Sequence, residues 1–341
     1  MFLAGMPLPA DSPLQDLAQD DVWRQHAGAF GSAFDNLEGQ QLGKIRDWSA
    51  TQLKFSQPVM FYFFSGPDFA YADAFFPNAA TYVLSGLEAV GQVPDLTTLG
   101  KGVIAQTLNN VEQSLSSLFL ASYFITAKMD VDLNNGPVNG VLPLLYIFLA
   151  RSGKVIHDVQ FVDLDRNGSL QLKNGSRGNI AARGVRIVFA TANRDIKTLY
   201  YFSADASDRS MSQYALLQFC RRLGSGDSLL KSASYLLHKN NFSQVRDFLL
   251  KQSSVIVQDD SGIPVANFDR RKWRLFAFGR YHRPYGVFAK YYQPKLTELF
   301  QQQRATSLEF GIGYQARFGA SNVLLATKAG TAGPPHSSTH R

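Results

Sequence analysis

Apolar residues recur along the first part of this chain at two different spacings, which predict helices and buried strands. Spacings of three to five residues predict an α-helix over residues 20–53 and another over residues 99–123. A short, wholly apolar helix is expected to end near Gly153, where glycine can close its last turn. The short aromatic runs at 59–64 and 81–84 are typical of buried strands.

The pattern changes at Lys154, where short β-type runs alternate with turn clusters such as Arg166-Asn167-Gly168. This spacing predicts an antiparallel meander of strands joined by tight turns. The expected strands of this meander are residues 155–164, 169–172, 184–190 and 198–202.

Helices resume after the meander and are followed by late strands. Residues 210–223 form a helical pattern closed by Gly224, and Asp227 is placed to cap the next helix. A further helix is expected over residues 243–250. The late β-type runs are residues 255–257, 273–278 and 310–318.

This order predicts an α+β fold, with antiparallel sheet elements packed against several amphipathic helices. Helices and strands segregate along the chain more than they alternate, which favours this class over a doubly wound α/β fold. The 26 phenylalanines predict a Phe-rich core. We expect an irregular leader over residues 1–20, one large domain over 21–329 with any subdivision near 153, and a disordered tail over 330–341.

Composition indicates a folded, soluble protein, since 45% of the 341 residues are hydrophobic and 18% are charged. The longest apolar run, 141–150, is too short to cross a membrane. Residues 1–150 carry 6 Lys and Arg against 14 Asp and Glu, whereas residues 151–341 carry 28 against 13. This asymmetry indicates either a polyanionic partner or two parts that pack together and neutralise each other. The single cysteine, Cys220, falls on an apolar helix face and excludes an intramolecular disulfide.

The first fourteen residues are apolar but lack the basic start of a signal peptide. A periplasmic location would therefore require a signal peptide upstream of residue 1. The cytoplasm and the periplasm both remain open.

One segment has the spacing of a calcium loop. Asp163, Asp165 and Asn167 supply oxygen ligands at the first, third and fifth positions, and Gly168 stands at the sixth. Position twelve is Asn174 instead of the expected glutamate, and the flanking residues resemble strands. A plain hairpin turn is favoured, with a weak calcium site as the alternative; we expect no other cofactor.

Two polar turns follow buried strands and are candidates for a functional site. The first turn contains Ser65 and Asp68, and the second contains Asp259 and Asp260. Paired carboxylates can share a proton or hold a metal ion, although they also occur in ordinary turns. A hydroxyl nucleophile would need a base, for which His282 is a candidate.

Basic and aromatic residues interleave over residues 270–295, as they do in surfaces that bind polyanions. Trp273, Leu275 and Ala277 alternate with their neighbours as in an ordinary strand, so nucleic acid is not the expected partner. The commonest nucleotide-binding and zinc motifs do not occur in the chain.

Several segments, among them Ser65-Gly66-Pro67-Asp68, Phe75-Phe76-Pro77-Asn78, Gly279-Arg280-Tyr281 and residues 230–237 and 258–264, resemble a family of uncharacterised bacterial proteins. That family has no assigned activity, cofactor or catalytic residue. The resemblance implies a bacterial protein and is compatible with export.

Three functional hypotheses follow, and whether the protein is an enzyme stays open. The first is a non-enzymatic binding or structural protein, with an unknown ligand in a cleft where the turns near Asp68 and Asp259 meet. The second is a hydrolase that uses Asp68, Asp259 or Asp260 with a histidine such as His282. The third is a polyanion-binding protein that uses the basic region 270–295.

Overall fold

Ten strands form one mixed sheet in the computed structural model, which describes residues 1–53, 56–121, 136–172, 180–314 and 321–330. The strands are β1 (Val59–Tyr62), β2 (Thr81–Gly86), β3 (Val155–Asp165), β4 (Leu170–Leu172), β5 (Ile180–Ala190), β6 (Ile196–Ser203), β7 (Gly226–Leu230), β8 (Ser253–Gln258), β9 (Trp273–Gly279) and β10 (Asn322–Lys328). Their order across the sheet is β4-β3-β5-β6-β2-β1-β7-β8-β10-β9.

The centre of the sheet is parallel and its flanks are antiparallel. Strands β6, β2, β1, β7 and β8 pair in parallel, one after another. On one side, β4, β3, β5 and β6 pair antiparallel, as expected. Their order is not that of the predicted meander, because β5 pairs with β3 instead of with β4. On the other side, β10 pairs antiparallel with both β8 and β9. The parallel centre was not predicted, because strands that pair in parallel are separated by long connections that leave no local turn signal.

Helices cover both faces of the sheet. Those in the described residues are α1 (Gln15–Ala18), α2 (Asp21–Leu37), α3 (Gly43–Gln52), α4 (Phe69–Phe75), α5 (Lys101–Ala121), α6 (Leu142–Arg151), α7 (Met211–Leu223), α8 (Ser243–Gln252) and α9 (Pro294–Gln302). A π-helical segment, Glu38–Leu42, joins α2 to α3. None of these helices combines the length and the apolar character needed to cross a bilayer.

Alternation along the strands divides the core into two layers. Met60 and Tyr62 of β1 pack with helices α2 to α6, whereas Phe61 and Phe63 pack with α7, α8 and α9. Successive side chains of a strand point to opposite faces, so one aromatic run supplies both layers. The α+β class, with its amphipathic helices and Phe-rich core, is therefore confirmed.

The strand order reverses beside β1. The connection from β1 through α4 leads to β2 on one side of β1, whereas the chain returns from β6 through α7 to β7 on the other side. Helix α4 packs on one face of the sheet and α7 on the opposite face. The gap between the loops that follow β1 and β7 is therefore a topological switch point, where open sheets bind ligands.

Three details differ from the expectations. Asp227 lies inside β7 and does not cap a helix; its carboxylate accepts N–H groups from Gln57 and Val255. No strand forms over residues 310–314, and β10 begins instead at Asn322. Phe2–Ala4 in the leader is buried, and Trp23 donates to the carbonyl of Phe2. Residues 315–318, the tail from 331 and Asn174 lie outside the described residues.

Candidate functional site

A cavity of about 290 Å³ opens at the carboxyl ends of β1, β2, β6 and β7, beside the switch point. The residues that line it are Tyr62, Phe64, Ser65, Gly66, Asp68, Ser85, Gly86, Leu87, Glu88, Ala204, Asp205, Ala206, Lys231, Ser232, Ala233, Ser234, Leu236, Phe242 and Tyr314. They come from both the acidic and the basic parts of the chain. The cavity therefore depends on the way these parts interleave in one sheet.

The turns around the cavity have an unusual backbone. Phe64, Ser232 and Ser234 have left-handed φ angles of 62°, 54° and 51°. Each such residue costs on the order of 1–3 kcal/mol unless its surroundings hold it. Hydrogen bonds supply that support, because Ser232 donates its N–H to Asp259 and Ser65 donates its N–H to the carbonyl of Ser85.

A buried ion pair forms part of the cavity wall. Lys231 Nζ lies 2.9 Å from Asp68 Oδ2, and the two side chains are only 1% and 2% exposed. The same Oδ2 accepts the Tyr62 hydroxyl at 2.8 Å, and Lys231 Nζ lies 3.7 Å from the centre of the Tyr71 ring. Burial, together with the Asp68 charge, raises the pKa of Tyr62 well above its usual value. Asp68 Oδ1 is buried and has no hydrogen-bond partner among the described residues.

Asp259 and Asp260 lie directly behind the cavity and hold its β7 loop. Asp259 accepts the N–H groups of Ser232 and Ser261, both at 2.9 Å. Asp260 accepts hydrogen bonds from the Tyr235 hydroxyl and from Asn322 Nδ2. Burial raises the pKa of both carboxyls, and the neighbouring Asp260 charge adds to the shift at Asp259. Neither carboxylate is among the described residues of the lining, and both reach the loop that follows β7 through their hydrogen bonds.

Glu88 and Tyr314 complete the site. The Tyr201 hydroxyl donates to the Glu88 carbonyl at 2.8 Å and lies 3.3 Å from its Oε2. Tyr314 donates its hydroxyl to the Ser232 carbonyl at 2.7 Å and accepts the N–H of Ser234 at 3.0 Å. The ring of Tyr314 thereby fixes the β7 loop against the opening.

The structure brings the two predicted polar turns together but leaves the histidine out. Ser65 and Asp68 line the cavity, and Asp259 binds the backbone of Ser232 in its wall. His282 is exposed and does not belong to the lining. No step can therefore be built from His282 in the observed geometry.

Sequence reasoning missed Lys231 and Glu88. Lysine is almost never fully buried unless it is paired, and the partner of Lys231, Asp68, lies far away in the sequence. Glu88 lies beyond β2 in a loop without any motif, and nothing in the sequence marked it.

The suggested calcium loop has the geometry of a hairpin turn between β3 and β4. Asp165 Oδ1 accepts the N–H groups of Asn167 and Ser169, both at 2.8 Å. Arg222 donates to the Asn167 carbonyl, which places a positive charge against the loop. Asp163 lies within β3, opposite Gln171 and Arg183. Within the described ranges no group of three or more His, Cys, Asp or Glu side chains is placed to hold a metal ion.

The basic region 270–295 spans the outer strand β9 and the start of α9. It contains eight Lys and Arg, all exposed, and no Asp or Glu. The aromatic residues are divided between interior and surface, since Trp273 and Tyr281 are buried whereas Tyr285 and Tyr292 are exposed. The alternation predicted for β9 is confirmed by its burial pattern.

Comparison with protein-family models, with curated proteins and with solved structures finds no significant match to this chain.

Proposed function

We propose that the protein binds a small polar molecule in the cavity at the carboxyl ends of β1, β2, β6 and β7. The observation that carries this proposal is the location of the cavity at a topological switch point, with the buried Lys231–Asp68 pair in its wall. Open sheets with parallel strands bind ligands outside the carboxyl ends of their strands at such a point. The strained, hydrogen-bonded turns that surround it support the same conclusion.

Size and lining support a ligand with the dimensions of a small metabolite. The volume of about 290 Å³ is at the lower end of the range typical of small-molecule sites, about 300–1,000 Å³. Phe64, Leu236 and Phe242 supply apolar surface, and the serines and carboxylates supply polar groups that would fix orientation.

The first experiment compares the native and denatured masses of the purified protein and then screens small molecules by thermal shift. We expect a retained adduct or a ligand that raises the unfolding temperature. Ala206→Leu adds bulk to the cavity wall and should remove this effect, whereas Ala50→Leu on the exposed side of α3 should not. Undiminished binding by the Ala206→Leu variant would show that the ligand binds elsewhere.

The hydrolase hypothesis has less support from the geometry. It requires a base close to Ser65 or Asp68, and no histidine occurs among the described residues that line this cavity. The hypothesis stays a prediction, and the binding function is preferred because it needs no group that the cavity lacks.

Polyanion binding by residues 270–295 is a second candidate, favoured by the eight exposed cations in a segment whose sequence contains no Asp or Glu. Heparin affinity would be measured over a series of salt concentrations. We expect the double variant Arg280→Glu, Lys290→Glu to reduce the slope of log affinity against log salt concentration by about two. Each contact with an anionic group of the ligand contributes about one to this slope. Lys239→Glu, at an exposed position outside this segment, is the control. Absent or salt-independent binding of the unmodified protein would contradict this function.

A further inference from the structure

Glu88 places a buried carboxylate in the cavity without a cationic partner. Its side chain belongs to the lining, and the residue is only 6% exposed. Over the described part of the chain no Lys, Arg or His side chain lies within salt-bridge distance of Glu88. A buried charge is normally paired, because removing it from water is costly.

The absence of a side chain at Gly86 makes room for this carboxylate. A Cβ atom at Gly86 would lie 2.1 Å from Glu88 Oε2 and 3.1 Å from the Cα atom of Gly66. The strand end of β2 and the β1 turn therefore approach closely, with the Glu88 carboxylate held against them. Its position is fixed by the fold instead of by a local ion pair.

The described part of the lining has a net negative charge. Among the described residues that line the cavity, Asp68, Glu88 and Asp205 carry three negative charges, and Lys231 carries the one positive charge. That ammonium group is already 2.9 Å from Asp68, so no cation of the described lining is left to neutralise Glu88. Asp205 is exposed, and its carboxylate accepts hydrogen bonds from Ser207. An anionic ligand would meet these carboxylates, whereas a cationic ligand would neutralise them.

Two further polar atoms of the wall are available to a ligand, and one of them, Asp68 Oδ1, requires a ligand that donates a hydrogen bond. Asp68 Oδ1 and Ser232 Oγ are buried and have no hydrogen-bond partner within the described ranges. Both residues line the cavity. A carboxylate oxygen can only accept, so the group that satisfies Asp68 Oδ1 must carry an N–H or an O–H.

We propose that the ligand of this cavity is a small protonated amine that carries further hydroxyl or amino groups. This inference rests on the proposed binding function. Glu88 is the counter-ion of the ammonium group, and a second donor on the ligand reaches Asp68 Oδ1. The phenyl rings of Phe64 and Phe242 contact the carbon skeleton.

The test is isothermal titration calorimetry at low ionic strength with matched pairs of probes. The pairs are glucosamine with glucose, 1,4-diaminobutane with 1,4-butanediol, and ethanolamine with ethylene glycol. We expect at least one amine to bind at least tenfold more tightly than its neutral partner. Glu88→Gln should lower the affinity for that amine at least tenfold. Asp47→Asn, which changes an exposed carboxylate on α3, should leave the affinity unchanged.

A second variant, Gly86→Ala, is measured alongside, because it displaces the Glu88 carboxylate without removing it. This variant should also lower the affinity for the amine. Equal affinity for the amine and its neutral partner, or full affinity in both variants, would overturn the ammonium assignment and leave the binding function standing. If no probe of either kind binds and the wider screen finds no ligand sensitive to Ala206→Leu, both proposals are wrong.

Discussion

Lys231 and Asp68 form an ion pair that water barely reaches, and its energetics differ from those of a surface pair. Two charges out of water are tolerated only while they satisfy each other, because either one alone would be an uncompensated buried charge. The second well-buried pair, Lys154 with Asp73 at 3.0 Å, has 13% and 8% of its side chains exposed and serves as a comparison.

Lys231→Met should lower the free energy of unfolding by about 3–5 kcal/mol, the range measured when one member of a buried pair is removed. Urea unfolding of the wild type and the variant measures this difference. Lys154→Met should cost less, since water reaches that pair more easily. Adding Asp68→Asn to Lys231→Met should restore part of the loss, and an additive double variant would show that the two side chains are not coupled.

Asp227 should make stability depend on pH in an unusual direction. Burial raises the pKa of this carboxyl from 3.8 to about 7. The contribution of Asp227 to the free energy of unfolding is fully present below about pH 4, where the carboxyl is protonated in both the folded and the unfolded state. This contribution is lost as the pH rises to about 7. In that interval the unfolded chain releases a proton that the folded protein retains.

Asp227→Asn should therefore flatten the decline of stability between about pH 4 and pH 7. The slope should change by up to one proton, which corresponds to about 1.4 kcal/mol per pH unit. Chemical denaturation at a series of pH values gives the slope, with Asp47→Asn as the exposed control. An unchanged slope would mean that Asp227 is ionised throughout the interval.

The sequence singled out candidate residues where a polar residue follows an apolar strand. Ser65 and Asp68 were identified in this way, and the structure places both in the cavity. Lys231 and Glu88 were missed, since their importance depends on which loops the sheet brings together. Spatial neighbours of this kind leave no trace in local spacing.

At the scale of elements, local patterns predicted most helices and strands but not their arrangement. Helix α7 and strands β3 to β6 follow from periodicity and turn residues, but the pairing of β5 with β3 does not. Strand β7 was not predicted, because Gly226 and Asp227 resemble the start of a helix. In the structure all five residues of this strand are buried. The order of the parallel strands is decided by long connections, which the sequence does not encode locally.

The buried position of Cys220 on α7 predicts the reactivity of this thiol, the only one in the sequence. Cys220 is fully buried on its inner face, and burial raises the pKa of the thiol far above its usual range. The reactive thiolate should therefore be absent from the folded protein. Iodoacetamide should modify Cys220 only after denaturant unfolds α7, with the Cys220→Ala variant as the blank. Rapid modification of the folded protein would show that α7 opens locally.

At the scale of the whole molecule, the two parts of opposite charge interleave in a single sheet. Strands β1 and β2 precede residue 153, yet they lie between β6 and β7, which follow it. Trp48 of α3 also packs edge-on against Phe278 of β9, at 5.2 Å between ring centres. The charge asymmetry of the sequence is thus accompanied by extensive packing between its two parts.

Such interleaving should make unfolding a single cooperative transition. Variants that retain only Trp48 or only Trp273 report on the two parts separately. Their fluorescence transitions in urea should coincide with each other and with the loss of circular dichroism. Two separate midpoints would contradict the single unit and point to a division of the chain.

The position of β10 has a consequence for a chain that emerges from the ribosome. Strand β8 is complete at Gln258, but its neighbour β10 begins only at Asn322, after 63 further residues. At about 5–20 residues per second, synthesis of that stretch takes about 3–13 s. During this interval one edge of β8 has unpaired backbone N–H and C=O groups, which can pair with strands of other chains. Slower translation of this stretch should therefore increase aggregation, even though it changes nothing in the finished fold.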